Sequence, residues 1–173
     1  MQAIGTNRNF CFESLRDEEH NSCLMALAGT VSAILADKGP AVWSTAPNST
    51  VFEAIKLMAE KNVGALVVME NDKLVGIISE RDYTRKVVLQ GRLSKETFVG
   101  EIMTKDPFTA HPGDSVSECM ELMTDKHIRH LPVTESGTLV GLVSLGDLVR
   151  RIILTQSAAI DHLEQYITGA HPV

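Results

Sequence analysis

Hydrophobic and polar residues follow two patterns along the chain. From Val51 to Met58 the apolar residues recur every three or four positions, which is the spacing of one helical face. Two short apolar runs follow, "ALVVM" and "LVGIIS", and the turn-prone "END" between them is typical of a β-hairpin. A further helix is predicted over Asp82–Gln90. With the extended "AVWSTAP" in front, the predicted order is strand, helix, strand, strand, helix.

The whole pattern occurs twice. When the chain is shifted by 65 residues, Val42–Val88 lies over Pro107–Ile153 without a gap, and Gly76 coincides with Gly141. A second copy of the five elements is therefore expected, with its last helix over Asp147–Thr155. Two copies are too few for a solenoid. We predict an α/β (α+β) fold in which two similar β-α-β-β-α units pack about a pseudo-two-fold axis.

Helices are expected on both sides of this repeat. Thr30–Lys38 is predicted to form an N-terminal helix, and Ile160, Leu163 and Ile167 share one face of a C-terminal helix. That apolar face needs a partner, either the core or a second subunit. The predicted divisions are residues 1–29, a leader that is poorly ordered or forms an extra helix; 30–95, unit 1 with the N-terminal helix; 96–155, unit 2; and 156–173, the C-terminal helix and tail.

Composition and charge narrow the range of functions. Apolar residues make up 44% of the chain, which allows a substantial core, and the formal net charge of −6 argues against general nucleic-acid binding. No apolar run is long enough to span a bilayer, and the acidic "RDEEH" before residues 23–35 is unlike a signal peptide. Cys11, Cys23 and Cys119 form no CxxC pattern, which favours free thiols in a reducing compartment.

Catalytic and metal-binding patterns are missing from the sequence. No nucleophile is paired with a general base, and no dehydrogenase-type domain is visible, so we do not expect an enzyme. His127-x-x-His130 is the nearest approach to a metal motif, but no third ligand accompanies it. A resident metal is therefore not expected.

A serine three residues before an aspartate follows the hairpin in both units. Ser79 and Asp82 in unit 1 correspond to Ser144 and Asp147 in unit 2, and each pair begins a helix. One interpretation is a capping box, in which the two side chains satisfy free backbone N–H groups. The other is a ligand site, since a helix start can hold phosphate and an Asp can accept hydrogen bonds from ribose hydroxyls. The chain has Glu in its two other capping boxes, which favours ligand contact, and the two roles can coexist.

These elements together resemble a pair of CBS domains, named after cystathionine β-synthase. The resemblance covers residues 30–155 and is carried by "EIMT", "HIRHLPV", "LVGLVSLGDL" and "GIISERDYTRKVV"; stand-alone two-CBS proteins of bacteria and plant organelles are similar. It implies a flattened module with two clefts, here called cleft 1 (near Asp82) and cleft 2 (near Asp147). It further implies adenine-containing ligands, a homodimer formed through the helices of the module, and regulation rather than catalysis.

The resemblance also implies where sugar and phosphate groups bind. Arg129 and His130 take the places of Gly64 and Ala65 and are expected near the pseudo-two-fold axis, where Arg129 would contact phosphate. The alternative for Arg129 is a surface ion pair with Asp125, and the alternative for His130 is a half-buried surface histidine. The ribose and phosphate set is Ser79, Arg81, Asp82, Arg129, His130, Ser144, Gly146 and Asp147.

Small and apolar side chains are expected around the adenine ring. Ile78 and Val143 either sandwich the base or belong to the core, and the backbone near Thr45 and Ala110 would read its edge. Other helix cations are expected on solvated faces: Arg85, Lys86, Arg150 and Arg151. The cleft-lining set is Thr45, Ala54, Val63, Gly64, Ala65, Ile78, Ala110, Cys119, Ile128, Pro132 and Val143.

The leading hypothesis is a non-enzymatic sensor that binds an adenine nucleotide and regulates a partner protein. AMP is the first expectation for the ligand, with ADP, ATP or NAD(H) as alternatives. A second hypothesis is a dimerising interaction module whose clefts are vestigial. The expected location is the cytoplasm, or an organelle matrix in a eukaryote, without nucleic-acid or membrane partners.

Overall fold

The computed structural model describes residues 29–39 and 41–168. The predicted leader, apart from its last residue, and the last five residues of the chain lie outside this range. The N-terminal helix, α1, spans Val31–Lys38. Within the described residues, no helix combines the length and the apolar content needed to cross a bilayer.

Unit 1 has the predicted order of elements. The crossover through α2 makes β1 parallel to β2, whereas β2 and β3 form an antiparallel hairpin. The hairpin turn is tight because Asn71 and Asp72 both have positive φ angles, 49° and 60°, which match the twist of the strands. The elements are β1 (Ser44–Thr45), α2 (Val51–Lys61), β2 (Ala65–Glu70), β3 (Lys73–Ser79), α3 (Glu80–Lys86) and a short 3-10 helix (Val88–Gln90).

The segment between the units forms a short helix and a strand. The helix α4 spans Val99–Ile102, and the strand β4 spans Thr104–Lys105 and pairs antiparallel with β3. Unit 1 therefore holds a four-stranded sheet in the order β1-β2-β3-β4.

Unit 2 repeats this arrangement with the predicted 65-residue offset. A parallel bridge joins Ala110 to Val133, in the same register as Thr45 and Val68 of unit 1. The second hairpin likewise turns through positive φ angles. Its elements are α5 (Val116–Asp125), β5 (His130–Glu135), β6 (Thr138–Ser144) and α6 (Leu145–Thr168).

The last helix of each unit departs from the predicted bounds. Both helices begin two residues before the aspartate, and α6 runs for 24 residues, so the predicted C-terminal helix is its continuation. After Gly146 in its first turn, α6 contains no Gly or Pro, whereas Gly91 in a left-handed conformation follows the 3-10 helix that ends the corresponding segment of unit 1. The two helices therefore differ in length, because α3 ends at Lys86 and is followed by a 3-10 helix that stops before Gly91, whereas α6 continues to Thr168.

The two linker helices dock crosswise. Although α1 precedes unit 1, Val31 and Ile34 are buried in the core of unit 2, and the Val31 N–H donates to the Asp114 carbonyl at 2.9 Å. Conversely, α4 contributes Val99 and Ile102 to the core of unit 1. The prediction that grouped α1 with unit 1 follows the order of the chain, whereas in space α1 packs on unit 2. Each unit thus completes its core with a helix from outside the repeat.

Candidate ligand-binding site

The start of α3 is a capping box. Ser79 Oγ accepts a hydrogen bond from the Asp82 N–H at 3.4 Å, while Asp82 Oδ2 accepts from the Ser79 N–H at 3.1 Å and from its hydroxyl at 2.7 Å. The two side chains satisfy each other and the first turn of the helix. The capping interpretation from the sequence is therefore correct for unit 1, and the carboxylate is half-buried at the helix N-terminus.

The start of α6 repeats this geometry. Asp147 Oδ2 accepts from the Ser144 N–H and hydroxyl, both at 2.8 Å, and the Asp147 N–H donates to Ser144 Oγ at 3.2 Å. The pseudo-symmetry of the sequence thus extends to individual hydrogen bonds. The capping hydrogen bonds do not test whether these two acids also bind a ribose, and that assignment stays a prediction.

Each of the two acids also forms an ion pair with a lysine. Lys86 Nζ lies 2.7 Å from Asp82 Oδ1, and Lys38 Nζ lies 2.8 Å from Asp147 Oδ2. Burial alone would raise the pKa of Asp147, but the hydrogen bonds from Lys38 and Ser144 outweigh it and hold the pKa below the ordinary value. Both carboxylates therefore already have a cationic partner.

Sequence analysis did not include these lysines in the site. Lys86 was expected on a solvated face, but it is half-buried, and its spacing of four residues from Asp82 is a signal that could have identified the pair. Arg151, also expected in solvent, forms an ion pair with Asp37 of α1 at 3.0 Å. Lys38 is 109 residues from Asp147, and no local pattern predicts their contact.

His130 lies where the two units meet. A Cβ atom on Gly64 would lie 3.7 Å from His130 Cε1, so Gly64 of unit 1 and His130 of unit 2 are close in space. Burial lowers the pKa of His130, and the positive charges of Lys38 and Arg129 lower it further, whereas Asp147 acts in the opposite direction. His130 is half-buried and is neutral near pH 7.

Arg129 is exposed beside His130 and is available to a ligand. Among the residues that the structure describes, its guanidinium has no ion pair, and the alternative pairing with Asp125 is not formed. Arg81 behaves differently, because its Nη1 donates to the His127 carbonyl at 2.9 Å and thereby bridges α3 of unit 1 to the end of α5. The two arginines thus differ in how firmly they are held.

Two cavities contain part of the predicted ribose and phosphate set. The larger cavity, of about 690 Å³, is lined by Arg129, His130, Ser144 and Gly146 together with Arg150 and apolar residues of α6. The smaller cavity, of about 270 Å³, is lined by Arg81, Ile128 and Arg129 among others. Arg129 therefore lines both cavities, and its role in contacting phosphate stays a prediction. The two acids and Ser79 line neither cavity.

Most of the predicted adenine-lining side chains lie in the core. Thr45, Val63, Gly64 and Ile128 are only half-buried. Pro132 is buried, and six other side chains are at most 2% exposed: Ala54, Ala65, Ile78, Ala110, Cys119 and Val143. These seven residues pack as core residues in this structure. Their contact with adenine stays a prediction.

Two of these residues, Ala110 and Cys119, have further properties that bear on ligand binding. The Ala110 N–H donates to the Pro132 carbonyl and its own carbonyl accepts from the Thr134 N–H, both at 2.9 Å, so its backbone groups are already paired, and recognition of an adenine edge near Ala110 stays a prediction. Burial raises the pKa of the Cys119 thiol to about 11, with Asp114 and Glu118 adding to the effect. Cys119 is therefore a protonated packing residue.

No metal-binding cluster forms within residues 29–39 and 41–168. Groups of three or more His, Cys, Asp or Glu side chains placed to hold an ion do not occur in this range. The pair of histidines at positions 127 and 130 gains no third ligand there.

Comparison with known proteins places this geometry in a family. The CBS domain matches residues 39–89 and 99–154, which correspond to the two structural units. The chain belongs to the CBS-domain family. It is 42% identical over 152 residues to the CBS domain-containing protein CBSX3, mitochondrial, of Arabidopsis thaliana, an alignment that covers 82% of this chain and 73% of the relative.

Solved structures of CBS proteins share the fold. A protein with CBS domains from Burkholderia ambifaria is 51% identical with a TM-score of 0.70, covering 72% of this chain and 94% of the other. The CBS domain pair of protein MJ0100, solved in complex with 5′-methylthioadenosine and S-adenosyl-L-methionine, is 28% identical with a TM-score of 0.62, covering 70% and 93%. CBS domains are in general regulatory, non-catalytic modules, and this chain contains two of them.

Proposed function

We propose that this CBS module is a non-enzymatic sensor that binds an adenine nucleotide and regulates a partner protein. The observation that carries the proposal is the pair of capped aspartates at equivalent helix starts, with Arg129, which has no ion pair within the described residues, lining both cavities. An aspartate suits the ribose hydroxyls, and an unpaired arginine suits phosphate. AMP is the first candidate, and ADP, ATP and NAD(H) are the alternatives.

The related MJ0100 pair supports the ligand class at a coarser level. Its complex contains two adenosine-based molecules, which share the adenine and ribose expected here but carry no phosphate. Phosphate recognition in this chain is instead supported by its own Arg129, beside the half-buried His130. We therefore expect the nucleoside part of the ligand to follow the family, and its charge to be set by this chain.

Calorimetry tests the proposed function directly. AMP, ATP and NADH are titrated into the wild-type protein and into the Asp82→Asn and Asp147→Asn variants, in which an amide keeps the capping acceptor but loses the charge. Binding to the wild type, reduced in both variants, supports the proposal. The absence of binding by all three ligands, or unchanged binding in both variants, overturns it.

The second candidate is a dimerising interaction module. It is favoured by the apolar surface of α6, where Val149, Ile153 and Ile160 are 42%, 56% and 56% exposed. Light scattering with and without AMP, combined with mass spectrometry of ligand released from the purified protein, tests this candidate: dimerisation that does not depend on AMP, with no nucleotide released, favours it over the sensor. We propose the homodimer as compatible with both candidates.

The location of the protein is also a proposal. A reducing compartment, either the cytoplasm or an organelle matrix, is supported by the free and buried thiol of Cys119. Fractionation of cells that express the tagged protein tests this location.

A further inference from the structure

Each of the two aspartates proposed to bind ribose already forms an ion pair with a lysine. Asp147 and Asp82 are largely buried, with 24% and 16% of their side chains exposed, and each lysine is 40% exposed. A ribose that takes either carboxylate must compete with an ammonium group less than 3 Å away. The affinity for the ligand therefore includes the free energy of breaking the ion pair between the carboxylate and its lysine.

The lysines hold their positions through a second bond. Lys38 Nζ also donates to the Leu142 carbonyl at 3.2 Å, and Lys86 Nζ donates to the Ile102 carbonyl at 2.6 Å. In unit 2 the lysine belongs to the linker helix α1 and the carbonyl to β6. In unit 1 the lysine belongs to α3 and the carbonyl to the linker helix α4. In both units, a lysine that bridges the aspartate and a backbone carbonyl therefore connects the acid to a linker helix. The linker helix supplies the lysine in unit 2 and the carbonyl in unit 1.

The sequence repeat does not account for these bridges. The position equivalent to Lys86 is Arg151, which pairs with Asp37 rather than with Asp147. Lys38 comes from outside the repeated segment altogether. The two units thus reach the same charge arrangement with lysines from unrelated positions, which a shared ancestor of the repeats does not explain.

Displacing such a lysine has different consequences for different ligands. A neutral nucleoside takes the carboxylate and leaves a partly buried ammonium without its counter-ion, which is unfavourable. A nucleotide brings a phosphate that gives the ammonium a new anionic partner. In cleft 2, Lys38 lies close enough to His130 to affect its protonation, so it is near the residues expected to meet phosphate.

We propose that Lys38 and Lys86 are specificity-determining residues that make the clefts select phosphorylated adenosine over adenosine. The inference rests on the proposed nucleotide binding and adds the requirement for a charged ligand. Lys38 acts in cleft 2 and Lys86 in cleft 1.

The test compares AMP with adenosine by calorimetry on the wild type and on Lys38→Met, Lys86→Met and the double variant. Methionine keeps much of the aliphatic stem and removes the charge. In the double variant, we expect the ratio of AMP to adenosine affinity to fall about five-fold or more, because adenosine binds more tightly and AMP more weakly. Lys56→Met is the matched control, since Lys56 pairs with Glu60 on the exposed face of α2 and its loss should leave the ratio unchanged.

The outcomes separate this inference from the proposed function. If AMP binds the wild type and the double variant keeps the wild-type ratio, the lysines do not select the ligand and the inference is overturned, while the proposed function stands. If neither AMP nor adenosine binds the wild type, both are overturned. Lys38→Arg and Lys86→Arg keep the positive charge and serve as controls for the effect of substitution on folding. We expect them to keep the ratio of AMP to adenosine affinity, and a loss of this ratio in these variants also contradicts the inference.

Discussion

Leu35 of α1 packs directly onto Gly141 of β6. A Cβ atom at Gly141 would lie 2.5 Å from Leu35 Cδ2 and 2.8 Å from Cδ1, which is closer than real side chains approach. Gly76, the equivalent residue of unit 1, meets Met103 and the Thr104 carbonyl in the same way. The glycine in each β-hairpin is therefore what allows a linker segment to dock on the unit.

We predict that Gly141→Ala lowers the free energy of unfolding by about 1–3 kcal/mol, because the added methyl group overpacks the joint between α1 and β6. Urea unfolding measures the change. Leu35→Ala removes the clashing atoms, so the Leu35→Ala/Gly141→Ala double variant should be more stable than the sum of the single changes predicts. Strict additivity would contradict the packing argument.

Two other glycines calibrate this result. Gly113 has nothing within 4 Å of an added Cβ, so Gly113→Ala should change the unfolding free energy by less than about 0.5 kcal/mol. Gly76→Ala should cost more than Gly141→Ala, since an added Cβ would lie 2.9 Å from a backbone carbonyl that cannot rotate away. The reverse order would show that the Leu35 side chain is the less adaptable neighbour.

Arg129→Gln should separate binding from folding. The exposed guanidinium has no ion pair within the described residues, so its loss should change stability by less than about 0.5 kcal/mol. Under the proposed function the same change removes a charge-assisted phosphate contact and should weaken AMP binding about 10-fold or more. Calorimetry and thermal unfolding give the two values. Arg85→Gln, on an exposed position of α3, is the control, and equal effects of both substitutions on AMP affinity would contradict the role of Arg129.

The sequence predicts the local features of this fold well because each has a local cause. The hairpins follow from apolar runs around turn residues, and the capping boxes follow from a Thr or Ser three residues before an acid. The 65-residue offset then extends both to unit 2. The length of α6 was underestimated, although the absence of Gly and Pro after Asp147 indicates a continuous helix.

Contacts between distant segments account for what the sequence could not predict. The crosswise docking of α1 depends on apolar residues such as Val31 that fit either core by composition, and only the three-dimensional path selects unit 2. The ion pair of Lys38 with Asp147 is a consequence of that path. Side chains such as Ile78 and Val143 satisfy a core and an adenine pocket equally well in sequence, and the structure buries them.

His130 should make stability depend on pH near neutrality. Its pKa in the folded protein is below 6.5, chiefly through burial and also through the charges of Lys38 and Arg129, with Asp147 opposing. Below about pH 6.5 the unfolded chain binds a proton that the folded protein binds less readily, so the free energy of unfolding falls as the pH drops from there towards the folded pKa. Urea unfolding across this window should show the slope, and His130→Gln should reduce it. An unchanged slope would assign the effect to other groups.

His130 should also make the affinity for AMP depend on pH. A phosphate placed beside His130 favours the protonated imidazole, so AMP affinity should rise as the pH falls from about 7.5 to about 6. Calorimetry at the two pH values measures this change, and buffers of different ionisation enthalpy report the proton taken up. His130→Gln should remove the contribution of the imidazole and leave only the pH dependence that comes from the phosphate of AMP, which titrates at about pH 6. If the wild type shows no proton uptake, the phosphate does not lie near His130.

The glutamate capping boxes should contribute acid sensitivity at lower pH. Hydrogen bonds from the backbone and side chain of Thr50 hold the pKa of Glu53 below 4.5, and Ser115 does the same for Glu118. Because both pKa values are lower in the folded protein, the stabilisation is present above about pH 4.5 and is lost as the pH falls through the folded values. Glu53→Gln/Glu118→Gln keeps a polar group that can reach back to the cap but removes the titration, so its unfolding free energy should fall less steeply between about pH 5 and about pH 3. Urea unfolding at these pH values compares the two slopes, and parallel slopes would place the acid sensitivity in other carboxylates, of which Asp147 is the first candidate because its pKa is also lowered.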